Sequence, residues 1–151
     1  SDPDPDRRAD ARAFGAAAVA DGTLEGWRAA FREVPAARHG YGAALDLSGA
    51  PAAVQGLLEL GDIGAVLVLV GSVFPAGRVT VDPETVVRRM LTVRGVHNYA
   101  PEHLLEAVRF LEGADAAAFA GLVGSVHPLA DIGLALAAAR SHVSARTGLA
   151  G

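Results

Sequence analysis

Ile63-Gly64-Ala65-Val66-Leu67-Val68-Leu69-Val70-Gly71 is the apolar run richest in valine and leucine in the chain. Val66 to Val70 follow one another without a polar residue, as in a parallel strand covered on both faces. The run is far shorter than the ~18 residues a membrane-spanning helix requires. Working upstream, Pro51 suits the first position of a helix that reaches Leu60. The apolar run Tyr41 to Ser48, closed by Gly49-Ala50-Pro51, precedes that helix as a second strand. Downstream, Val79-Thr80-Val81 reads as an edge piece. Asp82 then caps a helix that has Pro83 at its first position and ends at Arg89. Leu91 to Val96 is strand-like.

The outer parts of the chain follow the same alternation. Leu24, Trp27, Ala30, Phe31 and Val34 recur at the spacing of one helical face, and Pro35 closes that helix. Ala16 to Ala20, followed by Asp21-Gly22, reads as a short strand. Asp6 to Phe14 reads as a helix capped by Asp4 or Asp6, with Gly15 at its end. Pro101 to Leu111 is an amphipathic helix with Leu104, Leu105, Val108 and Leu111 on one side. Gly113 to Gly124 is dominated by alanine, and helix or loop are both open. Asp131 to Arg140 is a last helix. Strands alternating with helices predict an α/β fold built on a parallel sheet. There is no internal repeat and no linker.

Composition narrows the function classes. At 151 residues the chain fits one domain on a prior of roughly 100–200 residues. A 51% apolar and 20% charged composition is that of a soluble globular protein. The net charge of −4 argues against a nucleic-acid partner, and no membrane partner is expected. Cysteine is absent, which excludes a disulfide scaffold, a thiolate nucleophile and a Cys-ligated zinc site within the chain. The acidic, polar N-terminus shows no signal peptide, so a cytoplasmic location is expected. The start at Ser1-Asp2, without Met, suggests a piece of a longer chain.

Four phrases carry a family resemblance. The opening stretch from Asp2 to Ala16 places an acid, a basic helix and a Gly-Ala pair in the order Asp2, Arg7, Ala11, Gly15, Ala16. Leu45-Asp46-Leu47-Ser48-Gly49-Ala50-Pro51, Val68-Leu69-Val70-Gly71-Ser72 and Leu91-Thr92-Val93-Arg94-Gly95-Val96-His97-Asn98 follow in order. Together they resemble the nucleotide-binding, C-terminal portion of the zinc-type medium-chain alcohol dehydrogenases. The wording from Arg94 to Tyr99 is similar to a subgroup found with phosphonate breakdown. The resemblance covers essentially the whole chain. It implies an incomplete Rossmann-like, doubly wound parallel sheet lacking its first strand and Gly-rich loop. Residues 1–151 would then be a partial dinucleotide-binding domain, with 122–151 leading back toward an absent catalytic domain.

The resemblance also implies roles. Asp2 is the expected partner of the adenosine ribose hydroxyls, and as an acid it disfavours NADP, whose 2′-phosphate is a like charge. Arg7 stands where the family has a basic residue beside the adenosine. Ser48 and Gly49 lie at the adenosine half of the cofactor. Val70, Gly71 and Ser72 lie near the nicotinamide, and the main-chain groups of Val96 and Asn98 match those that hold its carboxamide. The Gly-rich phosphate loop that binds the pyrophosphate is missing, as is a final strand expected after Gly151, which in relatives begins with an arginine. Zinc is expected only in the absent catalytic domain. The strand near 91–95 is expected at the sheet edge, where dimeric relatives pair two copies.

Other residues read as structural. His39, His97, His103, His127 and His142 show no i, i+4 ligand spacing. His39 and His142 read as surface residues, His103 as solvated and His127 as structural, while His97 lies beside the nicotinamide turn. Ser48 and Ser72 end strands, where open α/β sheets bind ligands, and neither has the G-x-S-x-G setting of a hydrolase. Arg8 reads as a solvated helix residue, and Trp27 and Phe31 as core. No catalytic residue and no metal ligand is expected. The expected activity is that of the parent: NAD-dependent oxidation of a small alcohol to an aldehyde or ketone, with hydride transfer to NAD, or the reverse. The alternatives are a zinc-free, quinone-reductase-type member of the same superfamily and a non-catalytic nucleotide-binding or dimerisation module.

Overall fold

Helix starts in this chain are written by aspartate, threonine and proline. The structure, a computed structural model, describes residues 1–37, 39–115, 119–141 and 144–151. Helix α1 (Pro5–Ala13) is capped by Asp4, which accepts from the Asp6 amide at 2.9 Å. Helix α2 (Leu24–Glu33) is capped by Thr23, which accepts from the Gly26 amide at 3.0 Å. Strand β1 (Tyr41–Asp46), helix α3 (Pro51–Leu60), strand β2 (Gly61–Leu69), helix α4 (Pro83–Arg89) and strand β3 (Thr92–Gly95) follow. Pro51 and Pro83 open their helices at a position whose N–H has no helical partner. Hydrogen bonds from the Thr85 hydroxyl and the Glu84 amide hold the Asp82 carboxyl, the α4 cap, below its ordinary pKa.

The three strands form one parallel sheet in the order β1-β2-β3. All therefore end on the same edge. These elements belong to a first compact unit, Ser1–Asn98. Its core comprises two buried clusters. Trp27 and Ala30 of α2 pack with Ala20, Tyr41, Leu60 and Ala65, and Val54 and Leu58 of α3 pack with Leu67. Ala44 and Leu57 border both.

A second unit spans Tyr99–Gly151. It contains helix α5 (Pro101–Gly113), strand β4 (Val123–Pro128), helix α6 (Ile132–Arg140) and strand β5 (Arg146–Ala150). β4 and β5 pair in parallel, with Val126 beside Gly148.

The structure corrects three expectations. Ala16–Ala20 is extended but forms no ladder; the Asp2 amide donates to the Ala20 carbonyl at 3.1 Å. Val79–Val81 is not a strand, because the Thr80 amide is taken by the Gln55 side chain at 2.8 Å. The β2 run is not covered on both faces. Ala65 and Leu67 are buried, whereas Val66 and Val68 are half-buried and Leu45, beside Val68, is 65% exposed. α2 and α3 pack on the Ala65–Leu67 side alone. A strand beginning on arginine, absent from the sequence reading, follows the last helix as Arg146–Ala150. In the Gly113–Gly124 stretch, α5 runs through Gly113 and β4 starts at Val123, while 116–118 lie outside the described residues.

Tyr41 makes the first unit sensitive to alkali. Its hydroxyl donates to the Leu57 carbonyl at 2.7 Å. Burial pushes the phenol up to about 12 from its ordinary 10.0, against a smaller opposing pull from the Arg89 guanidinium. A folded value above the unfolded one stabilises fully below the unfolded value, and that stability is lost as pH climbs through the folded one. Stability is therefore expected to fall between about pH 10 and pH 12. Tyr41→Phe should be less stable at pH 8 and lose less over that window. Urea unfolding of both proteins at stepped pH checks this, and identical alkaline losses would rule Tyr41 out as the titrating group.

Candidate functional site

In open α/β sheets the loops beyond the strand carboxyl ends form the ligand crevice. Asp46 and Leu69, the last residues of β1 and β2, are Cα partners. The loops that follow them are tied together through Asp46. Its main-chain carbonyl accepts from the amides of Val70 and Gly71, both at 2.9 Å. Its carboxylate Oδ1 accepts from the Ser48 hydroxyl at 2.7 Å and the Ser48 amide at 3.1 Å. Oδ2 accepts from the Gly49 amide at 3.1 Å and the Ser72 hydroxyl at 3.4 Å. Asp46 is 3% exposed, and is the buried charged residue among those described.

Two glycines let the loops interlock. Gly49 has φ +66°, a left-handed conformation that side chains disfavour, and a Cβ there would collide with the Gly71 carbonyl. A Cβ on Gly71 would collide with the Leu47 main chain and fall 2.6 Å from the Gly49 nitrogen.

Beside these loops lies a cleft of about 420 Å³, lined by Asp2, Arg7, Trp27, Leu45, Asp46, Leu47, Ser48 and Leu57 among others. α1 delivers the charged side. Arg7 lies 3.9 Å from the Asp2 carboxylate and 3.9 Å from that of Asp4. Asp2 Oδ1 accepts from the Asp4 amide at 2.9 Å, which fixes the side chain. Arg8 donates to the carbonyls of Asp2 and Pro3, each at 2.8 Å, and so holds the turn that carries Asp2. The cleft thus sets a carboxylate and a guanidinium against apolar walls. That arrangement matches a ligand with vicinal hydroxyls and a flat ring.

The expected site residues fall into three groups. Asp2, Arg7 and Ser48 share the cleft. Gly49, Val70, Gly71 and Ser72 form the interlocked loops beside it. Val96 and Asn98 follow β3. The Val96 amide donates to the Leu69 carbonyl at 3.0 Å, which extends the sheet. Asn98 has φ 59°, a left-handed turn residue. The Ser48 hydroxyl donates to Asp46 and accepts from the Ala50 amide at 3.1 Å, so it already braces its own loop. The residue missed in the sequence is Asp46. The available signal was an acid ending an apolar strand just before Ser48-Gly49, the setting of a side-chain-to-backbone turn.

His39 and His97 are exposed. His103 Nδ1 accepts from the Ala100 amide at 3.2 Å, and His127 Nε2 lies 2.8 Å from the Ser125 hydroxyl. His142 lies outside the described residues. Among the described residues no three His, Cys, Asp or Glu side chains are grouped to hold a metal ion. These described residues therefore do not by themselves fit a zinc site. Among them, too, no helix is long and apolar enough to cross a membrane.

The family model of the zinc-binding dehydrogenases matches residues 1–113. The chain belongs to that family. No curated protein gave a significant match. Solved structures show the same fold for this zinc-binding dehydrogenase chain. An alcohol dehydrogenase zinc-binding domain protein from Burkholderia ambifaria superposes with a TM-score of 0.79 at 24% identity, over 98% of this chain and 40% of that one. The alcohol dehydrogenase of Thermotoga maritima gives 0.75 at 20% identity, over 84% and 34%. Benzyl alcohol dehydrogenase from Acinetobacter calcoaceticus gives 0.63 at 20% identity, over 80% and 33%. The zinc-binding dehydrogenase chain described here thus spans 33–40% of the length of these solved proteins. The fold is a partial Rossmann-like α/β fold, as the family resemblance implied.

Proposed function

We propose that this chain is the cofactor-holding part of an NAD-dependent alcohol dehydrogenase, whose reaction is oxidation of a small alcohol to an aldehyde or ketone, or the reverse. The observation that carries this reading is the cleft in which Asp2 and Arg7 face Ser48 at the carboxyl end of β1. A carboxylate at that place accepts hydrogen bonds from both ribose hydroxyls, and it repels a 2′-phosphate. Arg7 pairs with Asp2 at 3.9 Å and lies over the adenosine side. The loops at Gly49 and Gly71, interlocked because neither residue carries a Cβ, stand beside the ligand. The Val96 carbonyl and the Asn98 turn orient the carboxamide.

When bound, NAD supplies a hydride acceptor; the chain contributes position and charge. Zinc and the substrate pocket belong, in this reading, to residues beyond these 151, and residues 122–151 lead toward them. The Arg94–Tyr99 wording supports placement in the phosphonate-associated subgroup. A cytoplasmic location is part of the same reading.

The test is a titration followed by nicotinamide fluorescence. NADH is expected to saturate the chain, with NADPH at least about tenfold weaker, and Asp2→Ala should weaken NADH and narrow that ratio. Equal binding of the two cofactors by the wild type, or an unchanged ratio in the variant, would remove Asp2 from the ribose site. We propose further that the chain forms a homodimer through β3, which among the described residues pairs with β2 alone and whose four residues are exposed. A free sheet edge otherwise invites uncontrolled pairing. Light scattering should return twice the chain mass; a monomer at all concentrations would refute the dimer.

A further inference from the structure

We infer that Asp46 is a positioning residue for the cofactor: it sets the spacing of the two strand-end loops without touching the ligand itself. The inference rests on the NAD reading above. Asp46 is buried, yet no cation pairs with it among the described residues. A buried carboxylate of this kind is tolerated only when hydrogen-bond donors surround it. Here the donors, among the described residues, come from the two loops: the Ser48 hydroxyl and amide, the Gly49 amide, and the Ser72 hydroxyl. Both oxygens are occupied, which leaves the carboxylate as a brace rather than a ligand contact.

The brace is two-sided. The Asp46 side chain gathers the loop after β1, while its main-chain carbonyl takes the amides of Val70 and Gly71 after β2. Ser72, 26 residues away in sequence, reaches back to the same carboxylate. Loop spacing at this point sets how far Ser48 and Gly49 stand from the charged wall of Asp2 and Arg7. Movement of either loop changes the width of the cleft, so the effect of Asp46 on the cofactor is geometric. Asparagine fits the space but has one acceptor oxygen. Its amide would meet a donor, from Gly49 and Ser72 on one side or from Ser48 on the other.

The test compares Asp46→Asn with a Ser48→Ala/Ser72→Ala double variant, which keeps the carboxylate and removes two hydroxyl donors. Amide exchange is read by NMR without cofactor, and NADH affinity is read by fluorescence. In both variants the Gly49 and Gly71 amides should exchange at least about tenfold faster, while the paired β1–β2 amides around Ala44 and Val68 stay protected. NADH affinity should drop about tenfold in Asp46→Asn and less in the double variant, and affinity should track loop exchange rather than melting temperature. Should Asp46→Asn not fold, the double variant decides alone. Unchanged loop exchange, or faster loops with wild-type NADH affinity, overturns the positioning role and leaves the NAD reading standing. Failure of the wild-type chain to bind NADH overturns the NAD reading and the positioning role with it, while the exchange data still show whether Asp46 braces the loops.

Discussion

Leu67→Ala is expected to destabilise the chain by about 2–5 kcal/mol, toward the upper end of that range. Leu67 is 2% exposed and is the large side chain most completely buried among the described residues. It stands on the central strand, beside Ala44 of β1 and Val93 of β3, and packs under Val54 and Leu58 of α3. Truncation leaves a cavity between a strand bonded on both edges and a helix held at both ends. Ala44 is already small, and neither strand can shift without breaking its ladder. The site therefore has little means of collapsing, which is the condition for a large loss. Single domains hold only about 5–15 kcal/mol in total, so much of the first unit's stability is at stake. Leu45→Ala is the matched control: Leu45 is 65% exposed on the opposite face, and its loss should stay within about 0.5 kcal/mol. Urea unfolding midpoints decide; equal shifts for the two variants would mean the core does not lie between β2 and α3.

That contrast also shows what could be read without coordinates. The Asp-Pro pairs at 4–5 and 82–83 and the Pro51 start are local signals, and the helices begin where those residues stand. The run from Val66 to Leu69 is a strand on propensity alone. Coverage of its faces is not local: it depends on which helices pack there, and only the Ala65–Leu67 side is filled. β4 and β5 were illegible for a related reason. Val123–Pro128 contains glycine, serine, histidine and proline, and Arg146–Ala150 contains glycine and threonine. Neither has the pattern of a strand until its partner, about twenty residues away, is in place. Ala16–Ala20 shows the converse error, an apolar run that has no ladder partner.

The candidate site divides along the same line. Asp2, Arg7 and Ser48 were legible as family phrases, and they line one cleft. Asp46 stood inside a quoted phrase but carried no visible role, because its farthest donor, Ser72, is 26 residues on. Arg8 reads as one more solvated helix residue until its guanidinium is seen to hold the carbonyls of Asp2 and Pro3. In both cases the side chain holds neighbouring backbone, through contacts that composition and spacing do not encode.

Gly71→Ala is the second change with a large expected effect, and it tests the interlocked loops directly. The nearest atoms a methyl group there would meet are main chain: the Leu47 carbonyl group and, at 2.6 Å, the Gly49 nitrogen. No flexible side chain can give way, so the loops must part. Parting them strains the Val70 and Gly71 bonds to the Asp46 carbonyl and draws Ser48 and Gly49 away from their carboxylate. A loss of about 3 kcal/mol is expected, the upper range for overpacking. NADH affinity should fall about tenfold or more in whatever fraction remains folded. Gly42→Ala separates this from any general intolerance of alanine in the sheet. Gly42 lies on β1 with open space where its Cβ would stand, so stability should change by less than about 0.5 kcal/mol and NADH binding should be retained. Gly71→Ala with wild-type stability would mean that the loops are not in contact as described. Gly71→Ala with reduced stability but wild-type NADH affinity would mean that they touch without shaping the cleft, and the cofactor's position would then depend on α1 and Asp2 alone.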